Sequence, residues 1–202
     1  MTLLLDLLRH GETEQGGGMR GSIDDALTAT GWAQLRAALA VALDNPQNQP
    51  LWDRVVSSPL QRCARFAEEV AQAQGVALSF DPGLQELHFG DWEGLSSADL
   101  MEQDAQGLGQ FWNDPYAFTP PNGEPLVQFE TRILASLQQL QQAYSGERIL
   151  LITHGGVMNL LLARARGLPR SDLMQVSVGH AQLIKLKLET NGTISERLCK
   201  HS

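Results

Sequence analysis

The chain has 202 residues, a formal net charge of −8, 43% hydrophobic residues and two cysteines. That length suits one α/β domain with room for an insertion, and the acidic balance argues against a general nucleic-acid binder, which needs a basic face. Cys63 and Cys199 make no metal-ligand spacing, no apolar stretch is long enough to span a bilayer, and the first apolar run lacks the basic leader of a signal peptide, so a cytoplasmic location is expected.

Leu3 to Leu8 is a nearly continuous apolar run that ends in Arg9-His10-Gly11. Such a run predicts a strand buried on both faces of a parallel sheet, and ligands in that architecture bind beyond the carboxyl ends of the strands. The glycine-rich stretch that follows, to Gly21, reads as a loop over a site. It lacks the GxxxxGK[ST] pattern of a phosphate-cradling loop. Within it Arg20 either enters a pocket or is solvated. Thr28 caps a predicted helix reaching about residue 44, with Trp32, Leu35, Leu39 and Leu43 at helical spacing. A polar turn over residues 45–50 precedes a second buried strand, Val55-Val56-Ser57-Ser58. Pro59 then opens a helix whose buried face is Leu60, Cys63, Ala67 and Val70. Arg62 falls in its first turn, where the helix dipole disfavours a cation. That placement hints at an anion, with an ordinary surface arginine as the alternative.

Ala77-Leu78-Ser79-Phe80 is a third strand candidate. Residues 84–94 form a loop dense in acids and aromatics, in which Glu86 and Glu93 are both candidate general acids. Residues 96–112 read as a weakly patterned helix and 114–123 as turns, together an insertion or lid of about 95–125. Pro125 starts a long helix with Leu126, Phe129, Ile133, Leu137, Leu140 and Tyr144 on one stripe. Arg148 to Thr153 repeats the design of the first strand and ends in His154-Gly155-Gly156, where a new helix N-terminus offers N–H groups to an anion. Leu183 to Leu188 alternates as a half-exposed strand. Asn191-Gly192 predicts a two-residue hairpin turn into a last strand over residues 193–198. His88, His180 and His201 have no constellation around them and read as structural or surface residues.

A lone histidine at a strand end is usually a hydrogen-bonded structural residue. Two of them delivered at one sheet edge, with Arg9 attached, point to a site. An arginine fork beside a neutral imidazole suits a phosphate, which the arginine binds and the imidazole attacks.

Four segments, in order, resemble the histidine phosphatase (phosphoglycerate-mutase-like) superfamily: Arg9-His10-Gly11-Glu12-Thr13, Ser57-Ser58-Pro59-Leu60-Gln61-Arg62, the stretch from Glu86 to Gly94, and Thr153-His154-Gly155-Gly156. The resemblance implies a single α/β domain over 1–202. Its architecture would be a three-layer αβα sandwich with a mostly parallel central sheet, an antiparallel C-terminal edge and a small helical lid. It further implies that His10 is the nucleophile and that Arg9, Arg62 and His154, with the Gly155 N–H, balance the phosphoryl charge. Glu86 would be the general acid and base, without metal or cofactor. Thr13, Gln15 and Arg20 are further substrate-binding candidates. One departure stands out: many members carry Asn six residues after the nucleophile, where this chain has Gly16, so Gln15 or Arg20 is expected to replace it. The 16–25 loop and compact length resemble the α-ribazole-5′-phosphate phosphatase branch of cobalamin nucleotide-loop synthesis. The expected partner is a small phosphorylated substrate rather than nucleic acid or membrane; oligomeric state is not legible. Four rivals remain: a metal-dependent hydrolase, which converging arginines disfavour; a non-catalytic phospho-ligand module; a sugar-phosphate or nucleotide phosphatase with specificity set by the lid; and a mutase-type phosphotransferase, for which the chain is short.

Overall fold

The computed structural model describes residues 1–43 and 49–197, with side chains 41–43 also left undescribed. Residues 45–48 of the predicted turn, the side chain of Leu43 in the helical stripe, and Leu198, Cys199 and His201 therefore lie outside what is described. The elements run β1 (Leu3–Arg9), α1 (Ala29–Leu43), β2 (Arg54–Ser57), α2 (Gln61–Gln74), β3 (Ala77–Phe80), α3 (Ser97–Gln103), α4 (Ala105–Asn113), α5 (Leu126–Ala143), β4 (Arg148–Thr153), α6 (Gly155–Ala165), β5 (Leu183–Leu188) and β6 (Ile194–Glu196). One six-stranded sheet has the order β3-β2-β4-β1-β5-β6. β1 to β4 are mutually parallel, while β5 and β6 add an antiparallel edge.

The period-2 alternation of the strands divides the core into two layers. Leu3, Leu5, Leu7, Ile149 and Leu151 pack toward α5 and α6. Leu8, Val55, Leu150 and Ile152 pack toward Leu35 and Leu39 of α1 and Cys63, Phe66 and Val70 of α2. Complete burial on both sides explains why β1 and β4 read as continuous apolar runs. The one interruption, Asp6, is fully buried; its Oδ2 accepts from Trp52 Nε1 at 2.9 Å and from Arg148 at 2.6 Å. A buried charge is tolerated only when paired in this way.

Several boundaries differ from the sequence reading, each for a local reason. α2 begins at Gln61 with Leu60 as its N-cap, so Pro59 precedes the helix rather than opening it. The predicted 96–112 helix is two helices. Asp104 leaves helical geometry (φ −149°, ψ 56°) and its side chain caps α4 by accepting from Gly107 N at 2.9 Å. The β5–β6 loop has three residues, not two: Glu189 N–H pairs with Thr193 O, and Gly192 takes the left-handed position at φ 83°. Leu100, Leu108 and Phe111 of α3 and α4 join the same apolar cluster as α5 and α6. Trp92 holds this segment, stacked on Phe118 at 5.6 Å and edge-on to Phe111 at 5.7 Å.

Candidate functional site

Parallel register brings three chain segments to one edge. Arg9 is the partner of Thr153, and Ser57 the partner of Ile152. Just beyond the strands, His10 N–H donates to Thr153 O and Ser58 N–H to Ile152 O, both at 3.0 Å. His10, Ser58 and His154 are thus fixed side by side, and the His10 and His154 ring centroids lie 5.4 Å apart. The turn after His10 is tight against α1: a Cβ on Gly11 would stand 2.3 Å from Gly31 O, so only glycine lets the two backbones approach.

The hydrogen bonds assign both imidazoles. His10 Nδ1 lies 2.8 Å from Gly11 O, and a carbonyl only accepts, so Nδ1 carries the proton and Nε2 keeps its lone pair. Burial, with a further push from Arg62 and Arg9, lowers the His10 pKa to about 3, so the ring is neutral at physiological pH. His154 Nδ1 accepts from Arg62 Nε at 3.2 Å, which leaves Nε2–H to donate to Ser58 Oγ at 2.8 Å. Complete burial, then Arg62 and His10, hold its pKa well below the usual histidine value. The Cys63 thiol packs 3.7 Å from His154 Nε2, and burial pushes its pKa up; it is a small core residue, as its place on the helix predicts.

A cavity of about 320 Å³ opens over this edge, and Arg9, His10, Arg20, Glu86, Gly155 and Gly156 are on its wall. Arg9 NH1 donates to Val178 O at 2.6 Å, while its buried Nε has no partner among the described residues. Glu86 Oε2 accepts from Gly156 N at 2.9 Å and Oε1 from Leu87 N at 3.0 Å. The N-terminus of α6 therefore holds the carboxylate of Glu86. Both glycines there leave room for functional side chains: a Cβ on Gly155 would stand 3.2 Å from the Arg9 guanidinium, and one on Gly156 2.3 Å from Glu86 Oε1, so a larger residue would push those side chains aside.

Arg62 and His154, at 1% and 0% exposure, lie one layer behind His10 and not on the cavity wall. Arg62 also donates to Gly21 O at 3.0 Å and to Asp25 Oδ1 at 3.3 Å. Arg20, whose place was open in the sequence, lines the cavity and is tied by NH1 to Thr13 Oγ1 at 2.6 Å and to Asp25 Oδ2 at 2.8 Å. It also donates to Gly16 O, the position where the Asn is missing. Thr13 is buried behind Arg20 rather than on the wall, and Gln15 is exposed and absent from it, because the 14–17 turn projects away into solvent.

The two candidate acids separate cleanly. Glu93 is used structurally: it accepts from Ser22 N and Oγ, Ile23 N and Phe89 N. Burial works against its charge, but those donors hold its pKa below the ordinary value. Glu86 alone of the two faces the cavity.

Sequence reasoning missed four features. His180 reads as structural, yet its ring lies 5.7 Å from that of His10. The signal was available: β5 runs antiparallel beside β1, so residues just before β5 return to the site edge. Asp25, which joins Arg20 to Arg62, has no local signal. Leu173, Met174, Val176, Ser177 and Val178 supply more of the cavity wall than the lid, which contributes Phe111 and Pro115. Asn159 sits on the wall one turn beyond Gly156. Among the described residues no group of three His, Cys, Asp or Glu side chains is arranged to hold a metal, and no helix is long and apolar enough to cross a membrane.

Residues 5–200 match the Histidine phosphatase superfamily (branch 1), and the chain belongs to that family. It is 33% identical over 174 residues to the adenosylcobalamin/alpha-ribazole phosphatase of Escherichia coli, covering 85% of this chain and 83% of that one. It is 34% identical over 174 residues to the glucosyl-3-phosphoglycerate phosphatase of Mycolicibacterium vanbaalenii, covering 82% and 75%. The crystal structure of the alpha-ribazole phosphatase from Shigella flexneri superposes with a TM-score of 0.80 at 30% identity, covering 96% of this chain and 95% of that one.

Proposed function

We propose that this protein hydrolyses a phosphomonoester through a phosphohistidine at His10, with α-ribazole-5′-phosphate as the substrate. The observation that carries the reading is a neutral imidazole, its Nε2 lone pair free, on the wall of a cavity that it shares with the Arg9 and Arg20 guanidiniums and the Glu86 carboxylate. A guanidinium offers phosphoryl oxygens charge-assisted donors in a fixed fork, which suits it to hold the group that the imidazole attacks. In the first step the Nε2 lone pair attacks phosphorus in line, the ester P–O bond breaks, and the carboxyl proton of Glu86 passes to the leaving alkoxide. In the second, the Glu86 carboxylate takes a proton from water, the oxygen attacks phosphorus, and the N–P bond breaks to release inorganic phosphate. Arg9 and Arg20 meet the phosphoryl oxygens from the wall, while Arg62 adds positive charge from behind His10. His154 holds the back of the site through Arg62 and Ser58, and the Gly155 N–H opens toward the phosphoryl group. Residues 95–125 act as a lid within one domain.

Glucosyl-3-phosphoglycerate, the substrate named for the mycolicibacterial relative, is the alternative. It adds a carboxylate, and the two arginines on the wall, Arg9 and Arg20, are already assigned to the phosphoryl oxygens, Arg20 being paired with Asp25 as well. Rapid quench with radiolabelled p-nitrophenyl phosphate tests the chemistry. An acid-labile, base-stable phosphoenzyme is expected in the native protein and none in His10→Ala. Ordinary turnover by a well-folded His10→Ala protein would end the assignment.

A further inference from the structure

Glu86 is held from two sides. Its carboxylate sits on the N-terminus of α6, and its backbone is gripped by Arg132 of α5. All five N–H donors of that guanidinium are engaged. NH1 donates to Gly83 O at 2.8 Å and to Gln85 O at 2.7 Å, and NH2 to Glu86 O at 2.8 Å. Nε and NH2 also donate to the two carboxylate oxygens of Glu124, at 2.7 and 2.9 Å. Thr153 Oγ1 donates to Leu84 O at 2.8 Å, so four consecutive carbonyls, 83–86, accept from side chains. Residues 85–89 belong to no helix or strand, and these side chains supply the partners that a ladder supplies elsewhere.

The clamp is itself braced. Glu124 N–H donates to His88 O at 2.8 Å, tying the end of the lid to the acid loop. The guanidinium lies over the ring of Phe129, 4.8 Å from its centroid and three residues earlier on the same helical face. α5 comes so close to the 82–84 turn that a Cβ on Gly83 would stand 2.1 Å from Ser136 Oγ. Arg132 is not on the wall of the cavity that holds His10. Glu86 also borders a second cavity of about 270 Å³, beside Gln85, His88 and Arg132. Packing therefore leaves this residue room to move, and its anchors are what keep it facing His10.

Resting on the phosphatase reading above, we propose that Arg132 is a positioning residue for the proton transfers: by clamping the 83–86 backbone it holds the Glu86 carboxyl at the leaving group, and Glu124 holds Arg132. Neither side chain touches the phosphoryl group.

Two esters of similar shape test this in the intact protein. p-Nitrobenzyl phosphate departs as an alkoxide that needs a proton, and p-nitrophenyl phosphate as a phenolate that needs little help. kcat/KM reports the step that forms phosphohistidine. In Arg132→Met it should fall by about 10²-fold for the benzyl ester, the effect of a misplaced acid, and change little for the phenyl ester. Arg132→Lys should recover little, because one ammonium cannot reach the same partners. Placed in a Glu86→Gln background, Arg132→Met should add no further loss on the benzyl ester, since it acts through Glu86. Glu124→Gln, which keeps the side chain's shape, should show the same ester selectivity more weakly, and it decides the matter if Arg132→Met does not fold. Equal falls for the two esters would reduce Arg132 to a structural role and overturn the proposal, as would unchanged kcat/KM on the benzyl ester. The Gly156 amide proton reads the clamp without turnover. Its NMR shift in Arg132→Met or Glu124→Gln should move toward that of Glu86→Ala, where the carboxylate acceptor is gone; an unmoved shift would count against the proposal. Hydrolysis of neither ester by the native protein would sink the phosphatase reading, and the Gly156 shift would still decide whether Arg132 holds Glu86.

Discussion

Arg62 Nε donates to His154 Nδ1 at 3.2 Å, joining a cation on α2 to an imidazole at the end of β4, with both side chains buried. An arginine cannot accept, so this contact fixes the His154 tautomer and aims its Nε2–H at Ser58. Replacing Arg62 by Met would strip a partner from Asp25, Gly21 O and His154 together. Breaking a buried ion pair from one side costs about 3–5 kcal/mol. Urea unfolding of Arg62→Met should show a loss in that range, and turnover should fall with it. Arg62→Lys should recover little of either, because lysine lacks the fork that reaches His154, Asp25 and the Gly21 and Ile23 carbonyls together.

Gly156→Ala separates fold from chemistry. Alanine favours the helix, but its Cβ would meet Glu86 Oε1 at 2.3 Å, so the carboxylate must swing away. We expect thermal stability close to native and kcat lowered toward that of Glu86→Gln, a fall of about 10²–10⁴ if the carboxyl is the general acid. The deficit should shrink with p-nitrophenyl phosphate, whose leaving group needs little protonation. An undiminished kcat on an alkyl phosphate would remove Glu86 from that role.

Acid should destabilise the fold through its two site histidines. Burial lowers both pKa values in the folded state, to about 3 for His10, while the unfolded chain titrates near the ordinary 6.5. Below that value the unfolded state binds more protons than the folded one, so stability falls as pH falls. His10 accounts for about 2 kcal/mol lost between pH 7 and pH 5, and His154 adds a loss of the same sign. Unfolding curves at the two pH values, compared between the native protein and His10→Asn, should show the pH-dependent loss reduced by that amount in the variant.

Asp25→Asn probes the bridge between Arg20 and Arg62. The acid accepts from both guanidiniums and, although burial opposes its charge, Thr13 and the two arginines hold its pKa low. Without that charge Arg20 loses its anchor on the cavity wall. KM for phosphomonoesters should rise several-fold with a smaller change in kcat. A change confined to kcat would mean that Arg20 does not position substrate.

The apolar runs of β1 and β4 made the parallel sheet readable, because complete burial on both faces leaves a mark in every residue of a strand. The same mark places His10 and His154 at a common edge, since each follows directly on the last residue of its run. Arg9 and Arg62 were legible for a similar local reason, each sitting against the end of a strand or helix. Boundaries were less so. Asp104 splits one predicted helix in two, and Gly192 lengthens a hairpin by one residue, through backbone geometry that composition hardly records.

Only the tertiary structure put Arg20 on the cavity wall with Gln15 off it, and tied Glu93 to backbone donors away from the cavity that Glu86, the acid singled out by the resemblance, faces. It also revealed Asp25, His180 and Asn159. Each of those outcomes depends on what another segment presents across space: Asp25 to Arg20, Gly156 N–H to Glu86, the β5 edge to His10. Periodicity reports whether a side chain is buried, since burial follows from its own element; it is silent on which partner waits there, since that partner comes from a residue tens of positions away.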